Sequence, residues 1–560
     1  MKMSSQVESP RQVLRGTPVV PGVVVGPAVV PGPRVEPVVD TDPVPEAQRD
    51  AELKAFAGAT TAVAQRLADR AGKATGSAAE VLAANAAMAT DRGWLGAAED
   101  LITGGSSAAA AAVAATAQFV DMFTKIGGMM AERVTDLNDI RDRVLAELLG
   151  LPEPGVPVPA VPSVLLAEDL APADTAGLDP TLIVGLATSL GGPTSHTAII
   201  ARQLGIPCVV AVSGLESVAA GTPVLIDGGA GELTVSPDQE AAAQAVAAYR
   251  LVAERTATWT GPGVTSDGHR VDVLANVQDG AGARVAATSA AGGVGLFRTE
   301  LCFLDREHEP TVDEQAAIYR EVIEAFPDSK VVLRTLDAGS DKPLRFAAHP
   351  DEANPALGVR GIRMALHDNG LLERQLDGVA AAAEGLRAPW VMAPMIATPA
   401  EAQWFAEKVR ERGLVPGVMI EVPAAALMAE RILEHVDFLS IGTNDLAQYT
   451  MAADRMSGDL AGLTDPWQPA VLSLVARTAG AGAAAGKPVG VCGEAAADPL
   501  LACVLVGLGV TSLSAAASAV AGVGAKLGTV SLDDCRRAAA AVSQTSDPAG
   551  ARAAARAVLG

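Results

Sequence analysis

The second half of the chain alternates short apolar runs with longer amphipathic stretches. The runs VDVLANV, VGLFR, VVLRTLD, WVMAPMI, GVMIEV, DFLSIG, PVGVCG and TSLSA read as buried strands, and helical stretches follow most of them. Eight strand–helix units in roughly 300 residues predict a (β/α)8 barrel, here spanning 261–545. The first half is patterned differently. Between Arg15 and Val39, Val-rich runs broken by Pro and Gly read as strands and turns. From Pro45 to Gly150 the sequence is Ala-rich and helical. In AERVTDLNDIRDRVLAELLG, Val134, Leu137, Ile140, Val144 and Leu148 recur at helical spacing before Gly150 stops the run. Residues 161–240 return to alternating strands and helices.

Two domain arrangements follow. The bland one is three domains in sequence. The preferred one is a single α/β domain formed by 15–44 and 151–240 and interrupted by a helical insert at 45–150, because strand material at 15–39 is too short to bury a core alone. A helix at 241–260 links the halves. Residues 1–14 are read as a flexible leader and 546–560 as a C-terminal tail. The fold class is α/β, a C-terminal (β/α)8 barrel plus an N-terminal α/β domain with an inserted α-helical subdomain.

Composition narrows the function classes. The 560 residues carry 65 acidic against 42 basic side chains, a formal net charge of -23. Such a surface repels nucleic acid and anionic lipid and suits a basic protein partner. Five cysteines without metal-type spacing point to a reducing cytoplasm and no disulfide framework. Apolar runs are interrupted before the about 20 residues of a membrane span, and no signal peptide is evident, so membrane insertion is not expected.

In a barrel of this kind, chemistry sits at the C-terminal ends of the strands. Arg298 ends the second strand, Arg334 and Asp337 the third, Glu421 the fifth and Cys492 and Glu494 the seventh. Asn444 and Asp445 follow the sixth, Arg360 follows the third, and Arg455 lies ten residues beyond Asp445. Several guanidinium groups imply a multiply charged anion. Glu421 and Asp445 imply a hard divalent cation such as Mg²⁺ that takes its other oxygens from the ligand. The rival reading is a set of salt bridges closing the barrel rim. A second constellation is GGPTSHTAIIARQLG, 191–205, where His196 opens a helix behind two glycines, Thr194 and Ser195. An imidazole there is a competent nucleophile toward phosphorus, and the helix start can hold phosphoryl oxygens. The plain alternative is a capping or surface histidine. His269, His308, His349, His367 and His435 lack that setting. Cys492 stands between a buried small hydrophobe and a functional thiol, whereas Cys208, Cys302, Cys503 and Cys535 read as packing residues.

These segments carry a resemblance. GGPTSHTAIIAR is similar to the phosphohistidine signature of Enzyme I, the phosphoenolpyruvate–protein phosphotransferase family of the bacterial sugar phosphotransferase system. GVGLFRTELCFLDR, RTLDAGSDKP, NPALGVRGIR, MIEVPAAALMAE, DFLSIGTNDLAQYTMAADR and VGVCGEAAADP resemble its substrate-barrel blocks in order, and ERVTDLNDIRDRVLAELLG resembles the end of its helical partner-binding part. The resemblance implies that His196 is phosphorylated by phosphoenolpyruvate. It implies that Arg298, Arg334 and Arg455, with Arg360, Asn444 and Asp445, hold the substrate, and that Glu421 and Asp445 ligate Mg²⁺, with Mn²⁺ as the alternative. Cys492 would protonate the departing enolate. The acceptor would be a histidine of HPr docking on the helical insert, and the barrel would form a homodimer. His196 would visit the barrel and return to the acceptor. Three departures stand out: Pro193 where a basic residue is usual, Ser340 where Gly is usual and a positive φ would strain Ser, and SLSAAASAVAGV, which lacks the customary Met and Pro. Two rivals share parts of this pattern, a dikinase fragment needing a nucleotide and a scaffold binding its partner without turnover.

Overall fold

The computed structural model describes residues 12–32, 43–72, 77–126, 133–170, 174, 178–193, 195–304, 306–340, 342–347, 352–367 and 369–560. The chain forms two compact units, residues 1–251 and 252–560.

The first unit contains an eight-stranded mixed sheet in the order β1-β8-β7-β3-β4-β5-β6-β2. The strands are β1 (Gln12–Arg15), β2 (Thr17–Val20), β3 (Val23–Val29), β4 (Ser163–Ala167), β5 (Ile183–Thr188), β6 (Cys208–Val210), β7 (Pro223–Asp227) and β8 (Glu232–Val235). β3 and β4 pair in parallel, Ala28 opposite Val164, although the helical segment separates them in sequence. That segment is therefore an insertion into one α/β sheet. Within β4, Val164 and Leu166 enter one apolar cluster while Leu165 and Ala167 enter another, as strand alternation requires of a sheet covered on both faces.

The insert consists of helices Glu46–Ala71, Ser77–Met88, Arg92–Thr103, Ala108–Ile126 and Val134–Leu149 among the described residues. Phe56, Val63, Leu67, Trp94, Ile102, Ile140 and Val144 form its own core. Arg143 is wholly buried beneath it. Its guanidinium meets Asp139 at 2.8 Å, Glu153 at 2.6 Å and Asp174 at 2.9 Å, tying the last helix to the chain that re-enters the sheet.

The second unit is a closed parallel barrel of β9 (Asp272–Val277), β10 (Gly293–Arg298), β11 (Lys330–Arg334), β12 (Trp390–Ala393), β13 (Val415–Ile420), β14 (Phe438–Ile441), β15 (Val489–Val491) and β16 (Ser512–Ala516). Each predicted run overlaps one of these strands. Leu296, Val332, Met392, Met419, Phe438 and Cys492 fill the barrel interior. Their sequence neighbours Phe297, Leu333, Val418 and Val491 pack outward beneath the helices. Trp390 and Phe438, with ring centres 4.8 Å apart, pack against each other near the strand starts.

Three sequence expectations change. Gln12 to Leu14 pair with Val235 to Leu233, so these residues belong to the sheet and not to a leader, whose first part, 1–11, lies outside the described residues. The linking helix is Gln239–Thr258, two residues earlier than expected. Residues 546–560 are no loose tail: Asp547 caps a helix, Pro548–Leu559, that buries Ala551 and Ala555. The Ala-rich composition hid the amphipathic spacing, since small side chains pack a helix face without a strong apolar signal. Among the described residues no helix is long and apolar enough to cross a membrane.

Candidate active site

Strand alternation selects the groups that reach the barrel mouth. Leu296 points inward, so Arg298 two residues on does as well. Val332 places Arg334 inward in the same way, and Met419 places Glu421. These three side chains line a cavity of about 430 Å³ at the C-terminal ends of the strands, with Asn444, Asp445, Arg455 and Cys492 on the same wall. The cavity thus brings together every barrel residue singled out in the sequence except Arg360.

The arginines differ. Arg298 lines the cavity and, among the described residues, has neither ion pair nor hydrogen bond. An unpaired guanidinium facing a cavity is ready to take a carboxylate or phosphate. Arg334 is fixed. It pairs with Glu300, lies 3.3 Å from Asp337 and donates to the Met419 sulfur at 3.6 Å, while its Nε is buried with no hydrogen-bond partner. Arg455 reaches Asp445 at 3.4 Å. Arg360 stands behind the wall, 1% exposed, and grips both oxygens of Asp337 at 2.9 Å while reaching Asp445 at 3.3 Å and the Tyr449 hydroxyl at 3.4 Å. The resemblance implies a substrate contact for it, and in the structure its guanidinium holds two acids of the same wall.

The acids carry most of the electrostatic tension. Asp337 is buried, yet Arg334, Arg360 and Lys342 outweigh burial and hold its carboxyl well below the usual range. Glu421 moves the opposite way. Burial first, then the neighbouring charges of Asp337 and Asp445, push it up to about 8, against the pull of Arg334 and of the Met395 N–H. That N–H lies 2.7 Å from Glu421 Oε1. It is aimed there because Met395 sits in the left-handed region at φ 61, an unfavourable place for a side chain, held by the surrounding barrel.

A buried carboxylate opposed by two further carboxylates is where a divalent cation would relieve like-charge repulsion. Glu421 and Asp445 offer hard carboxylate oxygens to the cavity, a donor set that fits a cation of the Mg²⁺ kind, which keeps few protein oxygens and completes its shell with water and ligand. Thr443 Oγ1, buried in the same wall, has no hydrogen-bond partner and is a further orphaned polar atom facing the site.

Cys492 is 2% exposed and donates its thiol hydrogen to the Ile441 carbonyl at 3.6 Å. Burial raises its pKa, despite the Ser440 hydrogen bond and the nearby Arg334, so the group stays a protonated thiol at neutral pH. Asn444 is locked to the next loop: its side chain donates to Glu494 at 3.3 Å and accepts from the Glu494 N–H at 3.0 Å. Any Cβ on Gly493 would strike Thr443, so that turn needs glycine. Sequence reasoning passed over Lys342 and Glu300. Both line the cavity and neutralise its charged wall, Lys342 at 3.7 Å from Asp337. Each lies in a quoted block beside a residue that was noticed, and a count of charges at the rim would have pointed to them.

In the first unit, His196 opens helix His196–Leu204. The Ser195 hydroxyl caps it by accepting from the Ala198 N–H at 3.3 Å, and Gly205 ends it at φ 67. Thr194 lies outside the described residues. The Pro193 carbonyl accepts from Arg202 at 2.7 Å, so a basic side chain one helix length away secures this turn. Ser340 shows no positive φ, and its hydroxyl donates to Glu352 at 2.7 Å; the strain expected there is absent.

Three segments match models of phosphoenolpyruvate-utilising enzymes: the N-terminal domain at residues 15–133, the mobile domain at 159–231 and the phosphoenolpyruvate-binding domain at 252–531. The chain is 52% identical to the phosphoenolpyruvate-protein phosphotransferase of Streptomyces coelicolor over 90% of its own length and 91% of that protein. It is 42% identical to the protein of the same name from Haloferax volcanii over 80% of its length and 81% of that protein. A solution structure titled Enzyme I is 28% identical, covering 42% of this chain and 99% of that one at a TM-score of 0.38. The chain belongs to the phosphoenolpyruvate-protein phosphotransferase family and is a phosphoenolpyruvate-dependent phosphotransferase.

Proposed function

We propose that the chain phosphorylates itself on His196 from phosphoenolpyruvate, releases pyruvate, and passes the phosphoryl group to a histidine of HPr to drive sugar uptake. The observation that carries this reading is the cavity wall, where an unpaired Arg298 and a fixed Arg334 stand beside Glu421, Asp445 and a protonated Cys492. Arg298, Arg334 and Arg455 bind the substrate's carboxylate and phosphate. Asn444 fixes the loop that carries Glu494, and Arg360 keeps Asp337 ionised and orients both Asp337 and Asp445. Glu421 and Asp445 would hold Mg²⁺ or Mn²⁺. Bound there, it would supply positive charge against the transferring group.

A nitrogen of His196 forms a bond to phosphorus as the bond from phosphorus to the enol oxygen breaks. The enolate's electron pair moves to its terminal carbon, which takes the proton of the Cys492 thiol, and pyruvate leaves. Water then returns a proton to the sulfur. The helical insert offers the docking surface for HPr, and the acidic chain attracts a basic acceptor. A barrel-mediated homodimer in the cytoplasm is part of the same reading.

The test is incubation of the full chain with phosphoenolpyruvate and Mg²⁺, without nucleotide. An acid-labile, base-stable phosphoryl adduct and stoichiometric pyruvate are expected, and His196→Ala should abolish both. A requirement for ATP or AMP would favour a dikinase instead, and partner binding without pyruvate release would favour a scaffold.

A further inference from the structure

The last step of the ladder between β10 and β11 sets Arg298 opposite Arg334. Beyond it the ladder stops, and side chains must set the separation of two like-charged strand ends. A buried network does so. The Thr299 hydroxyl donates to the Arg334 carbonyl at 2.9 Å. Gln375, on helix Gly370–Ala382, donates from Nε2 to the Thr299 hydroxyl at 3.1 Å and accepts at Oε1 from the Leu336 N–H at 2.9 Å. The same Nε2 donates to the Tyr319 hydroxyl at 3.2 Å. Tyr319 in turn donates to Gln315 at 3.0 Å, and Gln315 to the Pro310 carbonyl at 2.9 Å.

Thr299, Gln315, Tyr319 and Gln375 are at most 1% exposed, and none of the four lines the cavity. The Leu336 N–H can only donate, so it fixes which end of the Gln375 amide is oxygen, and each hydrogen further along then has one direction. None of these side-chain atoms is left without a partner. A buried network satisfied throughout holds one arrangement and resists distortion. Its two contacts with the site are telling: Thr299 directly follows Arg298, and Leu336 lies two residues beyond Arg334. We propose that Gln375 is a positioning residue for the substrate's anionic groups. Through Thr299 and the Leu336 N–H it sets the separation of the strand ends that carry Arg298 and Arg334, and with it the fit of both guanidiniums to phosphoenolpyruvate. This rests on the reading of Arg298 and Arg334 as substrate contacts. Tyr319 and Gln315 hold the outer end of the amide and touch neither strand end, so they serve stability.

The experiment titrates phosphoenolpyruvate, with Mg²⁺, calorimetrically into the full chain carrying His196→Ala, where the ligand binds without transfer. Into that parent go Gln375→Leu, Thr299→Val, Thr299→Ser, Tyr319→Phe and Arg298→Ala. Misplacing a binding group by about 1 Å can cost about 10²-fold, so Gln375→Leu and Thr299→Val should each raise Kd by about tenfold or more. Thr299→Ser keeps the hydroxyl and should restore the parent Kd. Tyr319→Phe should lose stability in denaturant unfolding and keep the parent Kd. A merely structural network predicts an unchanged Kd in every variant that folds. An unchanged Kd in either Gln375→Leu or Thr299→Val overturns the proposal, and so does an equal rise in Tyr319→Phe. If Gln375→Leu does not fold, Thr299→Val against Thr299→Ser decides. An unchanged Kd in Arg298→Ala sinks the reading of the cavity and the proposal with it. Weaker binding in Arg298→Ala beside parent-like binding in Gln375→Leu and Thr299→Val refutes the positioning role alone.

Discussion

Replacing Arg360 by Met removes a charge from behind the active-site wall while keeping a side chain of similar reach. In the native protein Arg360 gives two hydrogen bonds of 2.9 Å to Asp337 and one of 3.3 Å to Asp445. After the change Asp337 keeps Arg334 at 3.3 Å and Lys342 at 3.7 Å, and Asp445 keeps Arg455 at 3.4 Å. Removing one partner of a buried pair costs about 3–5 kcal/mol, because the other charge stays buried. With those partners still present, the low end, about 3 kcal/mol, is expected. Denaturant unfolding at pH 8 measures it, followed by a probe in the barrel.

The pH dependence has a definite sign. In the native protein the Asp337 carboxyl is held down, so its contribution is fully present above the unfolded pKa of about 3.9 and is lost only as pH falls toward the folded value. Without Arg360, burial works against the charge, and proton uptake by Asp337 becomes favourable as the solution is acidified. The deficit of Arg360→Met should therefore shrink between pH 8 and pH 5. A second change, Asp337→Asn, in that background should recover part of it at pH 8. A loss under about 1 kcal/mol at pH 8, or one equal at both pH values, would refute the claim that Arg360 works by holding these acids.

Arg298→Ala should raise KM for phosphoenolpyruvate, with kcat/KM down by about 10²-fold or more, since a charge-assisted bidentate contact is lost while the other described cations of the cavity, Arg334, Lys342 and Arg455, are each paired with an acid; steady-state kinetics reads this, and stability should be nearly unchanged. Cys492→Ala should slow pyruvate release more than it weakens substrate binding, and Cys492→Ser should restore little, a hydroxyl being a far weaker acid than a thiol; pyruvate release can be timed by rapid quench. Asp174 is raised to about 6, first by burial and then by Asp139, because the one buried Arg143 is shared with Asp139 and Glu153 as well. A raised acid stabilises the fold below its unfolded pKa and loses that contribution as pH climbs from about 4 to about 6. Unfolding of Asp174→Asn should accordingly gain on the native protein by about 2 kcal/mol between pH 4 and pH 7; a flat difference would contradict the shared-charge account.

How much of this was legible beforehand follows from which signals are local. The barrel strands were readable because each is a short apolar run, and strand alternation then carries Leu296 to Arg298 and Met419 to Glu421 with no further information. The insertion was inferred from a weak argument about strand length, while the pairing of Ala28 with Val164 that makes it one sheet is a long-range fact. The burial of Arg360 was not legible because the sequence shows charge and order but not depth. Its neighbour Gly361 sits in the left-handed region at φ 59, where a Cβ would also crowd Pro394 and Met395. The last helix escaped notice because Ala551 and Ala555 bury a face too small to register as apolar.

The arrangement of charge explains why one rim needs so many arginines when a substrate offers only one phosphate and one carboxylate. Two of them are structural counter-ions: Arg360 keeps Asp337 ionised and pairs with Asp445, and Arg334 spends part of its fork on Glu300 and Asp337. The effect is to maintain acids in a buried wall where burial alone would protonate them, as the elevated Glu421 illustrates. Acids kept charged in this way can hold a cation, and the cation together with the unpaired Arg298 presents positive charge to the ligand without leaving that charge buried and unbalanced in the empty site. Arginine behind the wall, carboxylate within it and guanidinium in front are thus successive layers, and exchanging Arg360 with a neutral residue should disturb the ligand-facing layer through the acids, lowering kcat and leaving KM much less changed.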